Sequence, residues 1–541
     1  WFETTKPLDY GIKRIRRIKG TDSFALTFRR KGNSMQMPLD VVVKDRTGGT
    51  TAYHIPNNWF EKPTTATVLP RWIGWGKVQQ HYTVHIEAPT GIRQVLIDTT
   101  YMMADRFMLD NSRTRGALIG HDKIKIRTDY GFLPHNDRKH YRLYWRPDVW
   151  YNGVDGLKAG LRAEGAYLKN ILNIQAGVWV NTSLGRWFQY WPEWNKTTYS
   201  RYVPVNYTVS VSSPFSLQYH NLRWELHSRL VDGFWKHRAG IRWAVNPKNV
   251  LEIGVQSLYA HNGFSPDYLV YGKEWSSFRH TKNTSLNVSH HLSYSGFKSR
   301  GVLTLSARAP FLSDAYDYSY LQAEHRHTRA VDRLVLRTRL TGRWGFGTRL
   351  PYESSLFLSM ASPEEWLDNK YLRSQMVVPA EWQGYNAENT GHIHYAGGLN
   401  LRGYAGYWAY DERNGDLLLA YKSKSGMAVN AELDFSNYIP FRPRPFRKWL
   451  RLQSYLFADA GVTELMRWNT EFENVAGAGK WSDVRLDAGI GAALTIHKWG
   501  KIEKAKPLTL RVDLPLFLNR PAFGSSDYFA FRWLLGIGWG I

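Results

Sequence analysis

The sequence predicts an all-β chain, a 16-stranded transmembrane antiparallel β-barrel preceded by a small Ig-like β-sandwich. Three observations predict it. Apolar and polar residues alternate with a period of two through most of residues 140–541. Aromatic residues make up 15% of the chain, with 24 Trp and 32 Tyr, and membrane barrels place such rings in girdles at both interfaces. No run of about 18 apolar residues occurs, which excludes a membrane-spanning helix.

The alternation carries most of the weight. Successive side chains of a strand point to opposite faces. Val484, Leu486, Ala488, Ile490, Ala492, Leu494 and Ile496 therefore share one face, and Asp483, Arg485, Asp487, Gly489, Gly491, Ala493 and Thr495 the other. Leu508 to Leu518 repeats the pattern, with Arg511 and Asp513 on the polar face, and Phe529 to Ile541 ends the chain in the same way. Charges of both signs opposite an apolar face do not suit a dry sandwich core, but a water-filled lumen tolerates them. Eleven such segments lie between 142 and 343 and five between 427 and 541, separated by a long irregular region, 346–426. The stretch 352–361 also alternates and reads as the descending start of that loop.

The first strand contains Pro147, a residue that sheets tolerate at edges and bulges. The last carries Gly536, Gly538 and Gly540 on its inward face. These two strands are expected to meet and close the barrel. Two readings of the glycines stay open: a weak seam able to open sideways, or room for a packed loop.

Composition narrows the function. With no cysteine, disulfides and thiolate metal sites are excluded. The net charge of +25 is scattered rather than gathered in one arm, which disfavours nucleic acid and suits a basic lumen and loops facing anionic glycolipid. The chain opens at Trp1 without a Met or signal peptide and reads as a piece of something longer. Residues 1–118 read as a small domain and 119–139, with Pro134 and the run Asn136 to His140, as a linker.

Inside the long loop lies Gly397-Gly398-Leu399-Asn400-Leu401-Arg402-Gly403-Tyr404. Leu401, Arg402, Gly403 and Tyr404 resemble, after a glycine pair, the hydrophobic-Arg-Gly-aromatic motif of the outer-membrane protein assembly and two-partner-secretion barrel superfamily (BamA/TamA/FhaC-like, bacterial surface antigen). Phe457-Ala458-Asp459-Ala460-Gly461 resembles the same family's Phe-x-Asp-x-Gly strand. The resemblance covers roughly residues 140–541. It implies a sixth extracellular loop folded into the lumen, with Arg402 meeting Asp459. By alternation Phe457, Asp459 and Gly461 face inward, and Glu432 and Asp434 on the preceding strand are rival partners. A buried guanidinium needs a well-placed carboxylate, because an unpaired one is costly. The chain departs from the family in ending at Ile541 and in an expanded loop containing Pro363-Glu364-Glu365-Trp366.

The N-terminal part shows short alternating strands at 23–29, 40–45, 50–55, 82–87 and 93–98. Met37 to Val41, Ile55-Pro56, Val95 to Asp98, Ala104-Asp105 and Asn111 resemble the β-sandwich that follows the catalytic domain in membrane alanyl aminopeptidase-type zinc metallopeptidases; Trp1 to Tyr10 would then be the tail of a preceding helical part. The catalytic His-Glu-x-x-His is absent. His392 with His394, and His325 with His327, read as satisfied or solvated pairs rather than metal ligands. No catalytic residue, metal ligand or cofactor is assigned to this chain; zinc belongs only to a peptidase domain upstream.

The sequence thus supports three functions: a barrel that moves or inserts polypeptides, a metallopeptidase anchored by its barrel, or a plugged scaffold subunit. The expected location is the outer membrane of a Gram-negative-type bacterium, with the N-terminal domain periplasmic. The expected partners are outer-membrane lipid, lipopolysaccharide, and a polypeptide substrate or other envelope proteins.

Overall fold

The computed structural model describes residues 8–31, 36–57, 62–103, 105–115, 124–128, 139–152, 156–168, 170–185, 204–216, 220–231, 233–260, 282–312, 315–366, 391–407, 409–438, 449–467, 477–497, 507–521 and 526–541. Pro134 and 136–138 of the expected linker, Ala104, residues 1–7 and loop residues 367–390 lie outside these.

Two sheets form the N-terminal unit. One holds Asp9–Arg17, Ser23–Lys31 and His81–Glu87; the other holds, in spatial order, Thr67–Val68, Thr50–Ile55, Leu39–Asp45, Ile92–Ile97 and Ser112–Thr114. Alternation in Ser23–Lys31 turns Phe24, Leu26 and Phe28 inward, where they meet Leu39, Val41, Val43, Val95 and Ile97 of the facing sheet. Trp72 completes this core, stacked on Tyr82 with ring centroids 5.3 Å apart. The expected helical tail is corrected here. Residues 9–17 are a strand that buries Tyr10 and Ile12 in the same core.

Among the described residues, the second unit is a closed barrel of twenty-one strands. Five of these are short: Ile124–Thr128, Ile393–His394, Tyr410–Arg413, Asp416–Leu419 and Gly477–Trp481. The other sixteen overlap, in order, the segments read from the alternation, from Tyr141–Asn152 to Leu534–Ile537. The count for the closed sheet is therefore higher than the sixteen expected, because loop segments and part of the linker add hydrogen-bonded edges. The outer face exposes Trp145, Val149, Leu161, Val178, Leu226, Ile253, Leu321, Leu340, Val429, Leu456 and Val512. Among the described residues no helix is long and apolar enough to cross a membrane.

The two ends differ. At one end the turns 247–248, 297–298 and 332–333 have two residues each; the other end carries 182–204, 261–282 and 347–425. The sandwich docks at the short-turn end. There the Met108 amide donates to the Tyr167 hydroxyl at 3.1 Å, and Phe107 packs edge-on against the Tyr167 ring.

Closure departs from expectation. Residues 124–128, inside the expected linker, form a strand parallel to residues 141–145, and the barrel order sets this strand between the last and first strands. Its pairing stops two residues short of Pro147, where no ladder donor exists. Of the expected last strand, 528–541, only Leu534–Ile537 is regular. Its outer edge pairs with Ile393–His394 of the long loop. The terminal strands are thus each covered by a short parallel segment of the same chain.

Candidate functional site

The long loop turns into the barrel. Tyr352–Ser354 is a single 3-10 turn and only Leu356–Phe357 of the alternating stretch 352–361 is extended, paired with Lys422–Ser423. Leu356, Leu358, Leu399, Leu401, Tyr404 and Tyr407 pack with Ala428 and Leu518 of the wall into one apolar cluster. Backbone bonds from Leu399 to the Phe357 carbonyl (2.9 Å) and from Leu401 to the Leu358 carbonyl (3.0 Å) hold the motif straight up to Arg402. Gly398 adopts φ +54°, and a Cβ there would sit 2.6 Å from the Met360 carbonyl, so only glycine fits.

Arg402 is fully buried. Its Nε and Nη2 donate to the two oxygens of Asp459 at 2.8 and 3.0 Å, a bidentate fork, and Nη1 donates to Glu432 at 2.8 Å. The Phe457 ring lies under the guanidinium at 4.0 Å, a cation–π contact that also excludes water. Gly461, the third inward residue of that strand, leaves room for Leu401, whose Cδ1 would lie 2.9 Å from an added Cβ. Tyr404 donates to Asn519 at 3.0 Å. The rival carboxylates part company: Glu432 shares Arg402 with Asp459, whereas Asp434 pairs with Arg337 at 2.9 Å and accepts from Gln453.

Residues that sequence reasoning did not single out complete the site. Asn430 donates to Asp459 at 3.1 Å and to the Asn400 carbonyl, so one amide ties wall to loop. Asn400 in turn donates to the Gly540 carbonyl at 2.9 Å, fastening the last strand. Arg511 pairs with Asp513 at 2.7 Å and with His394 Nδ1. Asp487 lies directly opposite Asp459 across the sheet. The alternation already set Asp487, Arg511 and Asp513 on the inward face; what it lacked was which of them the loop would reach.

The glycines divide between the two readings left open. A Cβ at Gly540 would lie 2.5 Å from Glu432, 2.7 Å from Arg511 and 2.9 Å from Arg402, and one at Gly536 would strike Arg511. Both glycines therefore make room for the buried charges. Gly538, expected inward, has φ +93° and nothing within 4 Å, so it bends the strand instead. The histidine pairs are engaged: His392 Nδ1 donates to the Trp533 carbonyl at 2.8 Å, His394 Nε2 donates to the Ser359 carbonyl at 2.9 Å, and His325 and His327 both contact the Tyr294 hydroxyl at 2.7 Å. Among the described residues no group of three or more His, Cys, Asp or Glu could hold a metal ion.

The close approach of the loop to the wall at Gly403 gives a direct test. A Cβ on Gly403 would lie 2.7 Å from the Asp487 Cβ and would overlap Leu518. Gly403→Val is expected to cost about 1–3 kcal/mol through overpacking, read as a lowered denaturant midpoint. Gly342→Val, at a strand position with nothing within 4 Å, controls for the added side chain.

No family model and no curated protein matches the chain, so the peptidase-like wording of residues 37–111 has no matched relative there. Among solved structures, BamA from Haemophilus ducreyi lacking POTRA domains 1-3 aligns at 11% identity over 74% of this chain and 71% of that one, with a TM-score of 0.38. CdiB from Escherichia coli aligns at 11% identity over 73% and 61%, TM-score 0.37. A BenF-like porin from Pseudomonas fluorescens Pf-5 aligns at 8% identity over 98% and 95%, TM-score 0.33. The chain is similar to these outer-membrane barrels in fold type.

Proposed function

We propose that the chain is an outer-membrane barrel of the assembly and translocation type, which moves or inserts polypeptides, with sixteen membrane-crossing strands and its sandwich in the periplasm. The observation that carries this reading is the Arg402 fork on Asp459 and Glu432 inside the barrel, beside a seam that the first and last strands do not zip themselves. A pore that only admitted solutes would gain nothing from leaving those strands unjoined.

The outer face supports the membrane. A continuous apolar belt of this kind exceeds what a soluble protein exposes. Aromatic rings flank it: at the long-loop end Trp235 stacks on Tyr259 at 5.6 Å and meets Tyr207 edge-on at 5.8 Å, and exposed Trp145, Trp243 and Tyr294 lie toward the other. Eight residues separate Trp235 from Trp243, about 27 Å along the strand and roughly 20 Å across a bilayer after strand tilt. Short turns on the side of the sandwich and long loops opposite match periplasmic and extracellular ends.

The seam supplies the experiment. Residues 124–128 and Leu534–Ile537 are neighbours in the barrel order, and the chain has no native cysteine. A disulfide between one cysteine placed within 124–128 and one within Leu534–Ile537, oxidised in the envelope, is expected to stop client export or insertion, and reductant to restore it. Full activity of the quantitatively cross-linked protein would refute a seam that must open.

A further inference from the structure

The part of the lumen nearest the short-turn end carries charge outside the Arg402 site. Three inward glutamates each lie between two arginines. Glu164 contacts Arg146 at 3.3 Å and Arg162 at 2.9 Å. Glu252 contacts Arg238 and Arg242, both at 3.2 Å. Glu324 contacts Arg326 and Arg339, both at 2.7 Å. Every one of these residues lies three to eight positions from the short-turn end of its strand. The three clusters therefore form a staggered, broken ring spread over about 17 Å of strand length.

Each cluster keeps one positive charge in excess. Arg162, Arg242 and Arg326 meet their glutamates through Nε, and a guanidinium has five N–H groups, so their Nη donors are left for a further acceptor. The side chains are within reach of solvent: Arg162 is 27% exposed, Arg242 45% and Arg326 54%. Above the ring the loop meets the same wall with its own acids. Glu364 is held by Gln256, and Glu353 accepts from Asn283 at 2.7 Å. Arg339 links the two levels, donating to Glu324 and to the Gly398 carbonyl at 2.7 Å. The wall thus already receives one acidic segment, and the ring lies between that segment and the short-turn end.

We propose that this ring is the docking track for an extended acidic polypeptide segment, rich in Asp or Glu, that enters the barrel from the side of the sandwich. The proposal rests on the reading of the barrel as a polypeptide conduit and names the chemistry of what it accepts. Fixed charge in a low-dielectric vestibule focuses the field and raises the local concentration of the opposite sign. Planar guanidinium forks take carboxylates in the geometry they already hold with the three glutamates. As the segment arrives, its carboxylates take the spare donors, and each glutamate keeps one arginine.

The test uses the full chain in detergent micelles and a labelled oligoglutamate peptide, with anisotropy as the readout. Binding is expected that weakens on the order of tenfold between low and high salt. The triple variant Arg162→Gln, Arg242→Gln, Arg326→Gln leaves each glutamate one arginine, so no carboxylate is orphaned. It is expected to lose about tenfold or more in affinity, with unchanged thermal unfolding. Arg14→Gln with Arg16→Gln and Arg17→Gln, on the exposed sandwich strand, is expected to bind as before. Loss in the sandwich variant with retention in the lumen variant overturns the proposal. So does tighter binding of a polyuronate than of oligoglutamate. Binding of a neutral extended peptide but not of oligoglutamate would sink the charge assignment and leave the conduit standing. No peptide binding together with full activity of the cross-linked seam would sink the conduit itself.

Discussion

Arg402→Ala is expected to release the loop from the barrel. The substitution leaves Asp459 buried without its cation and Glu432 with only Arg337, at 3.4 Å, and Asp487 and Asp513 lie close by. Breaking one side of a buried pair costs about 3–5 kcal/mol, because the remaining charge has neither water nor partner. Most of that cost is local, since the barrel ladder does not depend on the loop. Hydrogen exchange of residues 399–407 is therefore expected to quicken by on the order of a hundredfold or more. The heat-dependent unfolding of the barrel should fall less. Arg402→Lys is expected to recover only part of the protection, because an ammonium cannot reproduce the fork on Asp459 while also reaching Glu432. Unchanged exchange in Arg402→Ala would mean that the apolar cluster around Leu399 and Tyr404 holds the loop by itself.

The N-terminal sandwich is expected to lose stability as pH rises from 4 toward 8. Asp105 is almost fully buried, and burial pushes its carboxyl up from 3.8 to about 7, with the neighbouring Asp9 adding to the shift. Burial likewise raises Asp9 to about 6, against the pull of Lys31 at 3.5 Å. Both folded-state values lie above the unfolded one. Stability from the protonated forms is therefore complete below about pH 4 and is lost as pH passes through about 6 to 7. A shift of this size at Asp105 corresponds to about 4 kcal/mol, an upper figure because the two carboxyls share their environment. The measurement is the urea midpoint of proteolytic cleavage within residues 8–115, taken at several pH values in the whole chain. Asp105→Asn keeps an acceptor for the Phe107 or Tyr10 amide and removes the charge. It should flatten the profile and exceed the parent at pH 8. A parent profile that is already flat would show that water reaches Asp105.

Much of the site was legible because strand periodicity is rigid. A side chain one residue along a strand faces the other way, so the sequence placed Phe457, Asp459, Gly461, Glu432, Asp487, Arg511 and Asp513 on one face without any knowledge of their neighbours. The sequence could not say how those positions lie across strands. Asp459 stands opposite Asn430 on one side and Asp487 on the other, and only that register explains why Arg402 takes Asp459 and Glu432 while Asp434 goes to Arg337. The glycines show the same limit. Gly536, Gly538 and Gly540 looked alike in the sequence; two make room for charged side chains and the third bends the chain.

The seam was misread for a related reason. Residues 124–128 have no long alternation of their own, and they became a strand only because the edge of residues 141–145 offered hydrogen-bonding partners. Likewise Asp9 and Tyr10, the described end of the stretch read as a helical tail, belong to a strand because Tyr10 and Ile12 have a core to enter. The sequence by itself determined the all-β character, the order of the long strands, the face of each charge and the identity of the loop motif, all properties that a chain expresses within ten or so neighbouring residues. The tertiary structure decided the cross-strand register, the capped seam, the partners of Arg402 and the ring of arginines at the short-turn mouth. Those depend on contacts between residues far apart in the chain, whose meeting is set by barrel closure and not by any local preference.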